Sequence, residues 1–313
     1  MIETVLYQPS MKLDWDNFVE ASKNGTFLFK RDYMEYHSDR FTDYSLIFYK
    51  DRKLCALLPA SLHGNCVISH GGLTYGGFVT GGNMTARLML EIMDATKAYL
   101  REDGIAELNY KRVPYIYCSQ PSDEDIYALF RCNATLTKCG ISSTIYLPER
   151  IHYSKGRRSS ISRAGKIGLE VHESDDFSSF INILADSLKR HGAVPVHTPE
   201  ELILLKSRFP DNIKLYSTTR EGRMLAGALV YESKHVAHTQ YLANTEEGRL
   251  CGALDLLIDE LISRQYASKR YFDFGISTEN GGHYLNEGLA RQKQEFGARG
   301  VVYQEFSVKT DVL

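Results

Sequence analysis

Residues 247–254, Glu247-Gly248-Arg249-Leu250-Cys251-Gly252-Ala253-Leu254, place glycines on both sides of an arginine just before an amphipathic stretch. A glycine-rich turn leading into a helix lets backbone N–H groups approach a phosphate, and the helix dipole adds partial positive charge there. The same glycines can also do no more than shape a turn. A second glycine segment, His70-Gly71-Gly72-Leu73-Thr74-Tyr75-Gly76-Gly77, has four glycines in eight residues. It exposes backbone to an anionic ligand, with His70 and Tyr75 as its chemistry-bearing members, or it simply joins a strand to a helix. A third candidate is the run Lys155, Arg157, Arg158, Arg163 and Lys166, five bases without an acid. It is suited to clamping phosphate oxygens or to forming a solvated basic face. No Ser-His-Asp or Cys-His signature is evident, so a covalent intermediate is not expected. No metal site is expected either: the six cysteines are scattered, without a Cys-x-x-Cys. His235 and His238 fall in a strand-like segment, where residues three apart face opposite ways.

The elements that must position these residues can be read from patterning. With 313 residues, 43% hydrophobic and 24% charged, the chain is of soluble globular composition and comfortable for two domains. A formal charge of −2 gives no global attraction for DNA or an anionic membrane. No stretch approaches a spanning helix, and no apolar run follows a basic region near Met1, so a cytoplasmic protein is expected. Residues 43–49 read as a strand, followed by a polar turn at 50–53, a returning strand, the first glycine segment, a helix over 85–102 and a strand over 106–110. The second half repeats that order: a strand over 213–219, a turn at 220–223, a returning strand, a strand over 235–242, the glycine loop, a helix over 253–263 and a strand over 270–274. The two turns are offset by about 170 residues (Lys53 to Arg223). Helices precede each unit, at 15–22 in the first and at 176–191 and 199–209 in the second. Thr198-Pro199-Glu200-Glu201 supplies a cap, a first-turn proline and acids at the helix start. Such duplication implies two domains, 1–150 and 151–313.

This order, with the loop around Arg249, Gly252 and Ala253, resembles the Gcn5-related acetyltransferase (GNAT) core, in particular the tandem-GNAT proteins of the FemAB/FemX type. Leu254 stands where the family's loop has its last small residue. Asn286 and Gly297 keep the family's spacing in the last helix, but Lys293 occupies the place of the usual tyrosine; Lys293 with Phe296-Gly297 is the more Fem-like feature. The basic segment 159–171 is similar to the helix that opens a second Fem domain. The resemblance implies an α+β (α/β) fold of two GNAT-like domains, each a mixed, mostly antiparallel sheet flanked by helices, the second binding the donor.

It further implies direct transfer of an acyl group to an amine acceptor: an amino sugar, a sugar nucleotide or a cell-wall precursor. Acyl-CoA is the expected co-substrate, with no permanently bound cofactor. A Fem-like aminoacyl-tRNA-dependent transferase of the cell envelope and a non-catalytic binder of a nucleotide-linked ligand are the alternatives. Such chemistry needs a base for the amine and preorganised donors for the oxyanion. Lys293 is the first candidate, to stabilise the oxyanion or protonate the leaving group, on a helix whose expected inner face is Leu285, Leu289 and Phe296. Tyr241 and Gln240 occupy the splayed strand that meets the acyl carbonyl in this fold. Asp273 and Glu279, near a strand's C-terminal end, are candidate bases. Arg249, Gly252, Ala253 and Asn286 are expected at the donor, and His70, Tyr75, Arg158, Glu279, His283 and Tyr284 at the acceptor.

Overall fold

A computed structural model of the protein describes residues 1–189 and 192–311. The chain forms two compact units. Unit 1 comprises 1–140, 278–284 and 302–313; unit 2 comprises 141–277 and 285–301. A simple cut at 150 therefore moves to 140, and the C-terminal strand returns to unit 1. Backbone pairing is the reason: residues 305–309 run antiparallel to 107–111.

Unit 1 contains β1 (Ile2–Leu6), α1 (Lys12–Ala21), α2 (Arg31–Met34), β2 (Thr42–Asp43), β3 (Leu46–Lys50), β4 (Lys53–Leu58), β5 (Ser61–His63), β6 (Cys66–Ile68), β7 (Val79–Thr80), α3 (Ala86–Glu102), β8 (Glu107–Lys111) and α4 (Glu124–Arg131). It also holds the first part of β9 (Thr135–Tyr146). Strands β1, β3, β4 and β7 form an antiparallel sheet, and its core packs Leu46, Phe48, Leu58 and Phe78 against Met89, Ile92 and Met93 of α3.

Unit 2 contains α5 (Lys155–Ala164), β10 (Glu170–Ser174), α6 (Phe177–Lys189), α7 (Pro199–Arg208), β11 (Ile213–Arg220), β12 (Arg223–Glu232), β13 (Val236–Asn244), α8 (Glu246–Cys251), α9 (Ala253–Glu260), β14 (Tyr271–Ile276) and α10 (Glu287–Gln294). Two short strands, β15 (Thr278–Glu279) and β16 (Tyr284–Leu285), precede α10, and β17 (Arg299–Lys309) ends the chain. The last two positions of the helix expected over 176–191 lie outside the described residues. Thr198 and Glu201 form a reciprocal capping box at the start of α7, as the sequence there predicts. Strands β10 to β13 are antiparallel, β13 and β14 are parallel, and β14 is antiparallel to β9, a mixed but mostly antiparallel sheet. Alanines 226 and 228 on β12 leave room for Leu257, Ile258 and Leu261 to pack on one face.

The duplication extends to backbone detail. Hairpin β3–β4 turns through Asp51 (φ 50°) and Arg52 (φ 62°), and β11–β12 through Glu221 (φ 52°) and Gly222 (φ 75°). Left-handed φ at both central residues is what matches a two-residue turn to strand twist. Each hairpin has its register irregularity one step from the turn, at Phe48/Tyr49 and at Thr218/Thr219. All of these positions share the offset of about 170 residues seen in the sequence (219 − 49 = 170).

Candidate active site

Strands β13 and β14 pair over three positions, ending at His238 opposite Asp273. Beyond that point β13 runs on to Asn244 and β14 to Ile276 without pairing with each other. One cause lies on β13: against β12, Leu229 pairs with Tyr241 but Val230 with Thr239, so Gln240 is an extra residue. A bulge of this kind bends its strand and interrupts pairing. The gap opens into a cavity of about 290 Å³. Leu242 and Asn244 of β13, Phe274 of β14, Leu254 and Ile258 of α9, and Lys293 of α10 help to line it. Arg249, at the end of α8, also reaches the cavity.

Lys293 is buried, at 5% exposure. Its Nζ donates to the carbonyls of Gly275 and Ile276, both at 2.8 Å, where β14 has parted from β13. Burial pulls its ammonium pKa down to about 8, although Asp273 nearby favours the charged form. The expected inner face of this helix is corrected. Leu285 and Leu289 are exposed, and Ala290, Lys293 and Phe296 face the protein. A lysine therefore occupies what the hydrophobic pattern assigns to leucine, because Gly275 and Ile276 present carbonyls there.

Alternation along the strands sets what lies on the sheet's other face. Phe272 and Phe274 join the core with α9, so Asp273 between them points away from it. Asp273 is fully buried. Its Oδ1 accepts from Ser142 Oγ (2.5 Å) and Thr144 Oγ1 (2.6 Å), and its Oδ2 faces His238 Nδ1 at 2.7 Å. Burial pushes the carboxyl pKa up, but the hydrogen bonds and the histidine outweigh it and hold it below the usual carboxylate value. Asp273, expected as a candidate base, is a buried carboxylate whose oxygens are taken up by Ser142, Thr144 and His238. Sequence reading weighed His238 only as half of a metal pair; its cross-strand register with Asp273 is invisible in one dimension. Among the described residues no group of His, Cys, Asp and Glu could hold a metal ion.

Tyr241 follows the bulge and points away from the residues lining the cavity, with its hydroxyl 2.7 Å from Nδ1 of buried His197. His197, in the loop between α6 and α7, is a second residue that sequence reading missed. Gln240 Oε1 is buried without a hydrogen-bond partner. The glycine segment is not an open loop. Thr245 caps α8, Gly252 breaks the helix at φ 78°, and α9 starts at Ala253. Ser160 and Ala164 of α5 pack directly on Gly252, so that a Cβ there would lie 2.9 Å from Ser160 Oγ. Arg157 ties α5 down through Asp255 and Glu295 and lies 4.5 Å over the Phe296 ring. Arg158 itself is exposed. Asn286, expected at the donor, caps α10 by accepting from Leu289 N at 3.1 Å.

The acceptor candidates do not gather at this cavity. His70 and Tyr75 lie in unit 1 and are buried. Tyr75 donates to Thr26 Oγ1 (3.1 Å) and packs on Tyr117, a core placement that replaces its expected lining role. His70 has φ 60°, and its carbonyl accepts from buried Lys111 Nζ at 3.1 Å. Burial, chiefly, drives the His70 imidazole pKa down to about 3. Glu279, His283 and Tyr284 are exposed residues of unit 1.

Comparison with known proteins agrees with this architecture. Residues 150–284 match the family model described as an acetyltransferase (GNAT) domain. No curated protein matches the chain. Among solved structures, FemX is similar over 98% of this chain and 97% of its own, with a TM-score of 0.71 and 12% identity. L-PGS from Bacillus licheniformis aligns over 96% and 91%, with a TM-score of 0.62 and 13% identity. A tandem GNAT protein from the clavulanic acid biosynthesis pathway aligns over 99% of both chains, with a TM-score of 0.54 and 11% identity. At such identities the likeness is one of fold. The chain has a tandem-GNAT fold, and residues 150–284 are similar to a GNAT acetyltransferase domain. No helix among the described residues is long and apolar enough to cross a membrane.

Proposed function

We propose that the protein moves an acyl group from acyl-CoA to the amine of an amino sugar or related cell-envelope precursor by direct attack. The observation that carries this reading is the buried Lys293 in the wall of the cavity where β13 and β14 part. The cavity, about 290 Å³, has room for an acyl group and its thioester end rather than a nucleotide. An ammonium group with a pKa of about 8 lies close to an ordinary thiol, roughly 8.5. Proton transfer from Lys293 to a departing thiolate is then nearly balanced in energy. Before departure the same charge stabilises the oxyanion.

The test is a thermal-shift titration with acetyl-CoA, longer acyl-CoAs and free CoA. Ligand that binds only the native state raises the melting temperature according to RT ln(1 + [L]/Kd). A saturable shift that disappears in Leu289→Trp, a cavity-lining and half-exposed position, supports the reading. Absence of any shift in the folded wild-type protein overturns the acyl-CoA donor.

One observation favours a second reading, a Fem-like aminoacyl-tRNA donor. Ser160 and Ala164 fill the space over Gly252 at the start of α9, where a CoA pyrophosphate would bind a helix N-terminus. An aminoacyl ester needs only the acyl end in the cavity. Transfer from a charged tRNA, with no response to CoA, supports this reading over the first.

A further inference from the structure

We propose that His238 is the proton acceptor for the attacking amine and that Asp273, held by Ser142 and Thr144, is its positioning residue, so that donor and acceptor meet across the parting of β13 and β14 from opposite faces of the sheet. This rests on the acyl-transfer reading above.

The geometry has three parts. First, the Asp273 carboxylate cannot donate, so the 2.7 Å contact to His238 requires a proton on Nδ1. In the neutral ring Nε2 is then a bare acceptor. Ser142 and Thr144 hold the other carboxylate oxygen, which fixes the carboxylate and through it the ring. Second, the His238 side chain keeps 10% of its surface exposed, whereas Asp273 has none. The imidazole is thus the member of the pair that can meet a substrate. Third, His238 and Lys293 converge on Gly275. Lys293 bonds its carbonyl, and a Cβ at 275 would lie 3.3 Å from His238 Cε1. Lys293 lines the cavity beside Leu254 and Ile258 of α9. His238 alternates with Ala237, a member of the α9-facing core, and so lies on the other face. Pairing between the strands ends at His238 and Asp273 themselves, which puts the proton acceptor at the opening.

The step balances. The amine lone pair attacks the acyl carbon, an N–C bond forms, and the carbonyl pair moves to oxygen. The amine proton passes to His238 Nε2. Collapse restores the carbonyl and breaks the bond to the leaving group, which takes a proton from Lys293. His238 releases its proton to solvent, and Lys293 regains one. The products are an amide and, from a thioester, a thiol.

The charged group bonded to the ring is Asp273 on β14, and Lys293 on α10 acts on Asp273 through space. Tyr231, the register partner on β12, is the titratable residue on the other flank.

Two measurements test the proposal. In protein with ring-15N histidine, the His238 signals are assigned by their loss in His238→Gln. The expected wild-type pattern at neutral pH is a protonated Nδ1 and a bare Nε2, with mixed tautomers in Asp273→Asn and in Ser142→Ala/Thr144→Val. A wild-type ring protonated at Nε2, or an unchanged tautomer in Asp273→Asn, overturns it. This arm needs no substrate, so it decides the dyad even if the donor reading fails. With acetyl-CoA and a panel of amino sugars, His238→Gln is expected to lose about 100- to 10,000-fold in kcat/KM. The acetyl-CoA thermal shift is expected to stay as in wild type. Turnover in His238→Gln within a few-fold of wild type also overturns the proposal.

Discussion

Replacing Lys293 by methionine separates its chemical role from its structural one. The native ammonium has its pKa lowered from 10.5 to about 8, first by burial. At about 1.4 kcal/mol per tenfold change in proton affinity, holding the charge costs the native state about 3 kcal/mol at pH 7. The sign is fixed by linkage. Between the two values the unfolded chain binds more protons than the folded one, so this group makes stability rise with pH. The penalty is full below the folded value, fades through it, and is gone above the unfolded value. From pH 7 to 9.5 wild type should therefore gain about 2 kcal/mol relative to Lys293→Met, in which other titrations cancel. At pH 7 the variant escapes the charge penalty but strands the Gly275 and Ile276 carbonyls, each worth about 1–3 kcal/mol when left unpaired. The two effects offset each other, and the variant should fold with stability near that of wild type. Urea titrations of both proteins at the two pH values give the difference directly. Parallel behaviour, with no relative gain at pH 9.5, would refute a depressed lysine. Full acyl-transfer activity in a folded Lys293→Met would refute its part in the chemistry.

Three further outcomes follow from local geometry. Gly275→Ala forces a side chain into φ 76° beside His238, and should cost about 1–2 kcal/mol by thermal unfolding and lower acyl transfer more than donor binding. Thr198→Ala removes the capping box of α7 and should lower stability by about 1 kcal/mol, seen as roughly 2–4 °C in calorimetry, with turnover unchanged. Asp51→Asn with Arg52→Gly suits the left-handed turn of the first hairpin and should raise the urea midpoint of unfolding; a lowered midpoint would mean that one of these side chains is needed there.

Several features were legible in one dimension because their causes are local. Helix α3 follows from its apolar spacing, α7 from Thr198-Pro199-Glu200-Glu201, and the two hairpins from polar turns between apolar runs. The offset that joins Lys53 to Arg223 was visible as repeated order, and the structure extends it to shared turn conformations and shared register irregularities. Lys293 was singled out by its place relative to Asn286 and Gly297 and, one turn from Leu289, was placed near the inner face; the exposure of Leu285 and Leu289 was not foreseen. Periodicity assigns leucines to the core side of α10, and a lysine goes there only because two carbonyls await it.

The return of residues 302–309 to unit 1 depends on strand partners far along the chain, which no local pattern encodes. The pair His238–Asp273 depends on register between strands 35 residues apart. The closing of the glycine segment by α5 depends on how a helix about 90 residues earlier packs against Gly252 (252 − 160 = 92). Sequence alone determined the duplicated order of elements and singled out Lys293, because propensity, capping and periodicity act over a few residues. Tertiary structure decided which of those residues share a site, since pairing and packing set distances between positions that the chain itself keeps apart.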